Sequence, residues 1–128
     1  MKLLKKKLNS LVKRPTSASE LIALGKLMGI DVEVDRAINF HKTKKDYVIL
    51  NTDPTGPGRH WVAVNKKTMQ YFDPYAYDRL KEVPSKYKEA SNTKQLQTIN
   101  GQNCGPLCMA WLANGDSIYD TMYDTYRG

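Results

Sequence analysis

The sequence predicts an α+β domain, with a small antiparallel sheet packed against a central helix that begins at Cys104. Three observations carry this. Residues 47–51, 60–64 and 69–72 are short β-prone runs separated by turn formers. Ser17-Ala18-Ser19-Glu20 is a capping box, followed by Leu21, Leu24, Leu27 and Met28 at helical spacing. Residues 104–113 form an apolar run closed by Asn114-Gly115, the pattern of a buried helix with its stop signal.

The elements follow in order. Residues 1–15 read as a basic arm or helix, with Leu3, Leu4, Leu8, Leu11 and Val12 at helical spacing and Pro15 as its end. Residues 16–128 then make one domain. The capped helix runs to Met28, with Gly29 suited to the position just past its end. Residues 30–34 are short and β-prone. Residues 47–51 are a largely apolar, central strand. Asp53-Pro54-Thr55-Gly56-Pro57-Gly58 is a turn, and Asn65-Lys66-Lys67-Thr68 turns a hairpin between the next two strands. This gives a three-strand antiparallel meander. Residues 78–90 are Lys-rich and suit a short helix broken at Pro84. Residues 96–99 suit a strand. Tyr119, Tyr123 and Tyr126 suit one face of a short helix packed on the core.

Length and composition narrow the classes. The 128 residues fit one core, and 41% hydrophobic with 26% charged residues is a globular balance. No run approaches the ~18 apolar residues of a membrane span. The basic N-terminus lacks an apolar signal region, so a non-secreted, reducing location is expected. Cys104 and Cys108 sit at i,i+4, about 6 Å apart if helical and poorly disposed for a bridge. With only His41 and His60 as histidines, no metal motif is present. A net charge of +7 includes Lys5, Lys6 and Lys7 in the arm, and Lys42, Lys44 and Lys45 around Thr43. A polyanion, most simply nucleic acid, and a solvated basic face account for this charge equally well.

The chemistry-bearing residues are His60, Asp73 and Cys104, in that order. A catalytic thiol needs its proton held off, by a helix N-terminus or a nearby imidazolium. Cys104 opens an apolar helix after a polar loop. His60 opens a strand, and Asp73 follows the next one. Across the hairpin, position 60 is expected to face position 73, so that the carboxylate orients the imidazole. Gly105 leaves room for a substrate carbonyl, and its N–H or that of Cys104 suits an oxyanion. Taken singly, a His before Trp, a buried Cys and an Asp-Pro turn are each more often structural. Their order and converging contexts favour catalysis. Cys108, one turn further on, is assigned to the buried side of the helix.

Three blocks carry a resemblance. Gly58-Arg59-His60-Trp61-Val62-Ala63-Val64, Tyr71-Phe72-Asp73-Pro74-Tyr75-Ala76 and Asn100-Gly101-Gln102-Asn103-Cys104-Gly105-Pro106-Leu107-Cys108 resemble the catalytic blocks of the adenovirus-type cysteine protease, adenain. They are also similar to the related proteases that process ubiquitin-like modifiers. The likeness extends over roughly residues 16 to 113. It implies an adenain-like fold and a thiol endopeptidase in which Cys104 attacks, His60 is base then acid, and Asp73 orients it. It also implies an oxyanion-hole glutamine, for which Gln97 fits the spacing and Gln102 and Gln95 are alternatives. Trp61 and Gly105 would form the cleft, and the Trp61 N–H could join the oxyanion hole. The implied substrates are polypeptides with glycine on the acyl side of the cut, such as viral or mobile-element structural precursors processed during virion maturation. The implied location is the virion and the host nucleus or cytoplasm. The chemistry needs no cofactor. DNA and a peptide stimulate adenain, and the basic arm agrees with the DNA part, although no residue match carries it over. The chain departs from the family in having little after the catalytic helix, and in carrying Asp where adenain has Glu; the modifier-processing group also has Asp.

Two other readings compete. A peptidase for a ubiquitin-like modifier needs a broad gripping surface, which a monomer of this size has little room for. A non-catalytic DNA-binding protein on the same fold would tolerate a spoiled triad, whereas this one is intact by residue type. If the basic residues are a DNA site, affinity measured by fluorescence anisotropy falls steeply as salt is raised. Salt-independent or undetectable binding rejects that role.

Overall fold

A computed structural model describes residues 17–52, 60–74, 79–89 and 104–115. The arm over 1–15, the 53–58 turn, the strand expected over 96–99 and the tyrosine-bearing tail lie outside the described residues.

Helix α1 spans Ala18–Leu27. Ser17 caps it: its Oγ accepts the Glu20 N–H at 3.2 Å, and the Glu20 carboxylate accepts the Ser17 N–H at 3.2 Å. Gly29 follows at φ +76°, where a side chain would be strained. Leu21, Leu24 and Gly25 form the buried face. Leu27 was expected on that face but is 48% exposed. At 3.6 residues per turn it lies about 120° from Leu21, beyond the edge of the stripe.

Among the described residues the sheet has five strands in the order β1-β2-β3-β4-β5. They are β1 Val32–Arg36, β2 Tyr47–Asn51, β3 Trp61–Asn65, β4 Gln70–Phe72 and β5 Lys88–Glu89. The expected antiparallel meander is present as β2-β3-β4. The sheet as a whole is mixed, however, because β1 pairs parallel to β2 and β5 parallel to β4. A parallel pair needs a crossover. The first one uses a 3-10 helix, Ala37–Lys42, whose Ala37 and Phe40 are buried. Thr43 ends that turn by donating its hydroxyl to the Phe40 carbonyl at 2.6 Å. Lys66 locks it to the β3–β4 turn, donating from Nζ to the Thr43 carbonyl and Oγ1 at 2.9 Å and lying over the Phe40 ring. The described part of the second crossover, residues 79–87, contains no helix. Pro84 cannot continue one, and two turns bury Val83 and Tyr87 instead.

The β3–β4 hairpin turns at residues 66–69, one residue later than expected. The Asn65 side chain accepts the N–H groups of Lys67 and Thr68, and Met69 takes φ +58°. The pairing is therefore Ala63↔Phe72, Val64↔Tyr71 and Asn65↔Gln70.

Both faces of the sheet are covered, which is why β2 and β3 read as apolar runs rather than alternating ones. Val48, Leu50, Val62, Val64 and Tyr71 face Phe40, Val83 and Tyr87. Ile49, Trp61, Ala63 and Phe72 face α1 and a second helix, α2, which spans Cys104–Asn114. Helix α2 packs chiefly on β3, and Trp111 stacks on Phe72 with centroids 5.1 Å apart. Residues 104–112 are all buried, as an all-apolar helix requires.

Gly25 packs closely against this core. A Cβ there would lie 3.0 Å from the Ile30 carbonyl oxygen and 3.0 Å from Val32 Cγ1, with Met109 Cε at 3.4 Å. The backbone oxygen cannot swing aside, so overpacking outweighs the helix propensity a side chain adds. Gly25→Val is expected to lower stability by about 1–3 kcal/mol in urea denaturation. An unchanged midpoint would show that α1 does not pack as described.

Candidate active site

The site lies at one end of β3, where three elements meet. Register explains how His60 reaches Asp73. Continuing the hairpin ladder would set Asp73 opposite Val62, so position 73 is not directly across from position 60. The two are diagonal neighbours, offset by two residues. The long imidazole spans that offset, and His60 Nε2 lies 2.7 Å from Asp73 Oδ1. Asp73 is 5% exposed and the His60 side chain 14%, so the pair is largely out of water.

With Nε2 on the carboxylate, Nδ1 is the ring nitrogen left for the thiol. The Cys104 side chain is near enough to the ring to favour its protonated form. Cys104 is the first residue of α2. The helix begins there because the first-turn N–H groups need no intrahelical acceptor, so Gly105 and Pro106 cost it little; Pro106 lacks a donor that would be orphaned anyway. The N-terminal end of the helix dipole thus lies at the sulfur. The Trp61 N–H donates to Cys104 Sγ at 3.3 Å. Cys108 Sγ, one turn on, donates to the Trp61 carbonyl at 3.3 Å. Both thiols are free.

Electrostatics separate these groups. Burial alone lowers the pKa of His60, but the Asp73 hydrogen bond, the Asp73 charge and the nearby Cys104 side chain outweigh it. The net result is a rise from 6.5 to about 9. Burial pushes the Cys108 thiol well above its ordinary range, with Cys104 and Asp73 adding to the effect. Burial likewise raises the phenol of Tyr71, with Asp73 contributing. A buried imidazolium held by a carboxylate beside a helix-terminal sulfur can exchange a proton with that sulfur and stabilise it as thiolate.

The other expected site residues are placed as follows. Trp61 was expected to line a cleft and offer its N–H to an oxyanion. Its side chain is 4% exposed in the core, and its N–H points at the sulfur. The donor is used there because β3 starts where α2 starts. Gly105 is buried as well. Gln97, Gln95 and Gln102 lie outside the described residues, as do Lys5, Lys6 and Lys7. Lys42, Lys44 and Lys45 are exposed, at the opposite end of β2 from Asn51, which pairs with Trp61. Acids accompany them: Lys45 Nζ pairs with Asp31 at 2.6 Å, and the Glu33 carboxylate accepts the N–H groups of Lys44 and Lys45. Among the described residues no cluster of His, Cys, Asp or Glu could hold a metal ion, and no helix is long and apolar enough to cross a membrane. The hydrogen bonds of the Trp61 peptide to both thiols were missed from sequence. Their only sequence signal is the i,i+4 spacing of the cysteines.

No family model, curated protein or solved structure matches the chain significantly.

The raised pKa of His60 sets the sign of a pH effect. A group that binds its proton more tightly when folded stabilises the fold fully below its unfolded pKa, about 6.5, and that contribution is lost as pH rises through about 9. The gap in unfolding free energy between the wild type and His60→Gln is therefore expected to be widest at pH 6 and to close by pH 10. Urea melts across that range measure it, and a gap that widens with pH contradicts the Asp73 pairing.

Proposed function

We propose that the chain is a cysteine endopeptidase with His60, Asp73 and Cys104 as its catalytic residues. One observation carries the reading: His60 hydrogen-bonds a buried carboxylate through Nε2, and the side chain of Cys104, at a helix N-terminus, is near enough to favour the protonated ring. In this mechanism the Cys104 sulfur attacks the scissile carbonyl carbon after its proton has passed to His60. The tetrahedral intermediate collapses, the C–N bond breaks, and the imidazolium gives its proton to the leaving amine. A thioester remains on Cys104. Water then attacks its carbonyl carbon as His60 takes the water's proton; the C–S bond breaks, the acid leaves, and the proton on His60 is available again to the Cys104 sulfur. Asp73 keeps the ring oriented and favours its charged form throughout. The N–H groups of Cys104 and Gly105, in the first turn of α2, are backbone candidates for the oxyanion.

The substrate class rests on the resemblance of the three sequence blocks to adenain. It favours polypeptides cut after glycine, with structural precursors of a virus or mobile element as the natural targets. DNA and a short peptide are the accessory partners that the same resemblance suggests.

Cys104→Ala is expected to remove all cleavage of a Gly-X-Gly-containing peptide while the chain stays folded. His60→Ala is expected to slow alkylation of Cys104 at pH 6.5 by about tenfold or more. Mass spectrometry of the alkylated peptides distinguishes Cys104 from Cys108. A Cys104→Ala variant that still cuts at the wild-type rate rejects the assignment.

A further inference from the structure

The strand ladder changes partners at Trp61. Thr52 donates its N–H to the His60 carbonyl at 3.0 Å, so residues 60, 62 and 64 turn their backbone groups towards β2. Residues 61, 63 and 65 then turn theirs towards β4. Phe72 is the last β4 residue paired, opposite Ala63. Continuing that register puts Pro74 opposite Trp61, and proline has no N–H to give the Trp61 carbonyl. Helix α2 supplies a donor instead, the thiol of Cys108, while the Trp61 N–H is directed to Cys104 Sγ. One peptide unit on each side of Trp61 is therefore held between two thiols one helical turn apart.

We propose that Cys108 is a positioning residue: its thiol, bonded to the Trp61 carbonyl, holds the start of β3 against α2 so that the Trp61 N–H stays aimed at the Cys104 sulfur and His60, next in the chain, stays beside it. The idea rests on the peptidase reading of the site. Cys108 suits this task for two reasons. It is fully buried and stays protonated, so its S–H is a lasting donor. It also fills its place without a charge or a large polar group to satisfy, since a thiol is a small hydrophobe with one weak donor. An alanine there keeps the helix and most of the packing but removes the S–H donor to the carbonyl. A serine keeps a donor at the same position.

The test compares full-length wild type, Cys108→Ala and Cys108→Ser by two readouts. The first is amide hydrogen exchange at Trp61, referenced to Val64 in the same strand so that global loosening cancels. The second is the rate of Cys104 alkylation at pH 6.5. In Cys108→Ala, Trp61 exchange is expected to rise roughly tenfold relative to Val64, and Cys104 alkylation to slow roughly threefold to tenfold. Cys108→Ser is expected to recover most of both. Unchanged Trp61 exchange in Cys108→Ala overturns the proposal, as does an equal response of the Ala and Ser variants. The peptidase reading fails separately: wild-type Cys104 that alkylates no faster than in His60→Ala removes the active thiol, while Trp61 exchange still decides whether Cys108 holds the strand.

Discussion

Burial of a helix that is apolar on every side is the constraint on which the rest of the structure depends. Residues 104–112 of α2 are all shielded, so the helix must lie against the middle of the sheet rather than along its edge. It packs on β3, with Trp111 stacked on Phe72 and Met109 reaching α1 near Gly25. Once that packing is set, the helix N-terminus falls at the start of β3. Cys104 is thereby placed beside Trp61, and His60 is carried to the same point by its own strand. The site is a by-product of how a fully buried helix meets a short strand.

The same burial creates an electrostatic problem that the site resolves locally. An imidazole largely removed from water would ordinarily lose its proton easily. Here the Asp73 carboxylate and the Cys104 side chain reverse that tendency. The two cysteines show how position outweighs identity. Cys104 receives an amide N–H, a helix terminus and an imidazole. Cys108, one turn deeper, has a backbone carbonyl as its partner, and burial raises its pKa, with Cys104 and Asp73 adding to the effect. Identical side chains are given different surroundings, and in those of Cys108 burial keeps the thiol a donor.

The crossovers explain why so small a chain has a sheet buried on both sides. The 3-10 turn and the 79–89 segment lay Phe40, Val83 and Tyr87 over the face opposite the helices. They also decide where charge goes. Lys42, Lys44 and Lys45 end up on the first crossover, next to Asp31 and Glu33 and a strand's length from His60. A surface pair such as Lys45–Asp31 contributes little to stability, about 0–1 kcal/mol. It does temper the positive field there, so those lysines are not an isolated basic patch at the site.

What the sequence determined by itself was local. The capping box at Ser17, the stop at Gly29, apolar strands placed at 47–51 and 60–64 and a helix from Cys104 to about Ala113 follow from capping chemistry, periodicity and turn residues, all of which act over a few positions. The residue types of the site were legible for the same reason: His at a strand mouth, Asp after a strand, Cys at a helix start. Tertiary structure alone decided the relations between segments. The parallel pairing of β1 and β5 has no periodic signature, because a short polar-edged strand pairs either way. The hairpin moved its turn by one residue when Asn65 bonded forward to Lys67 and Thr68, which made His60 and Asp73 diagonal rather than opposite. The Trp61 N–H was drawn to the thiol because docking α2 on β3 brought a sulfur to a donor that the ladder, ending before Pro74, no longer used. These outcomes depend on which surfaces meet in three dimensions, and no run of neighbouring residues encodes that.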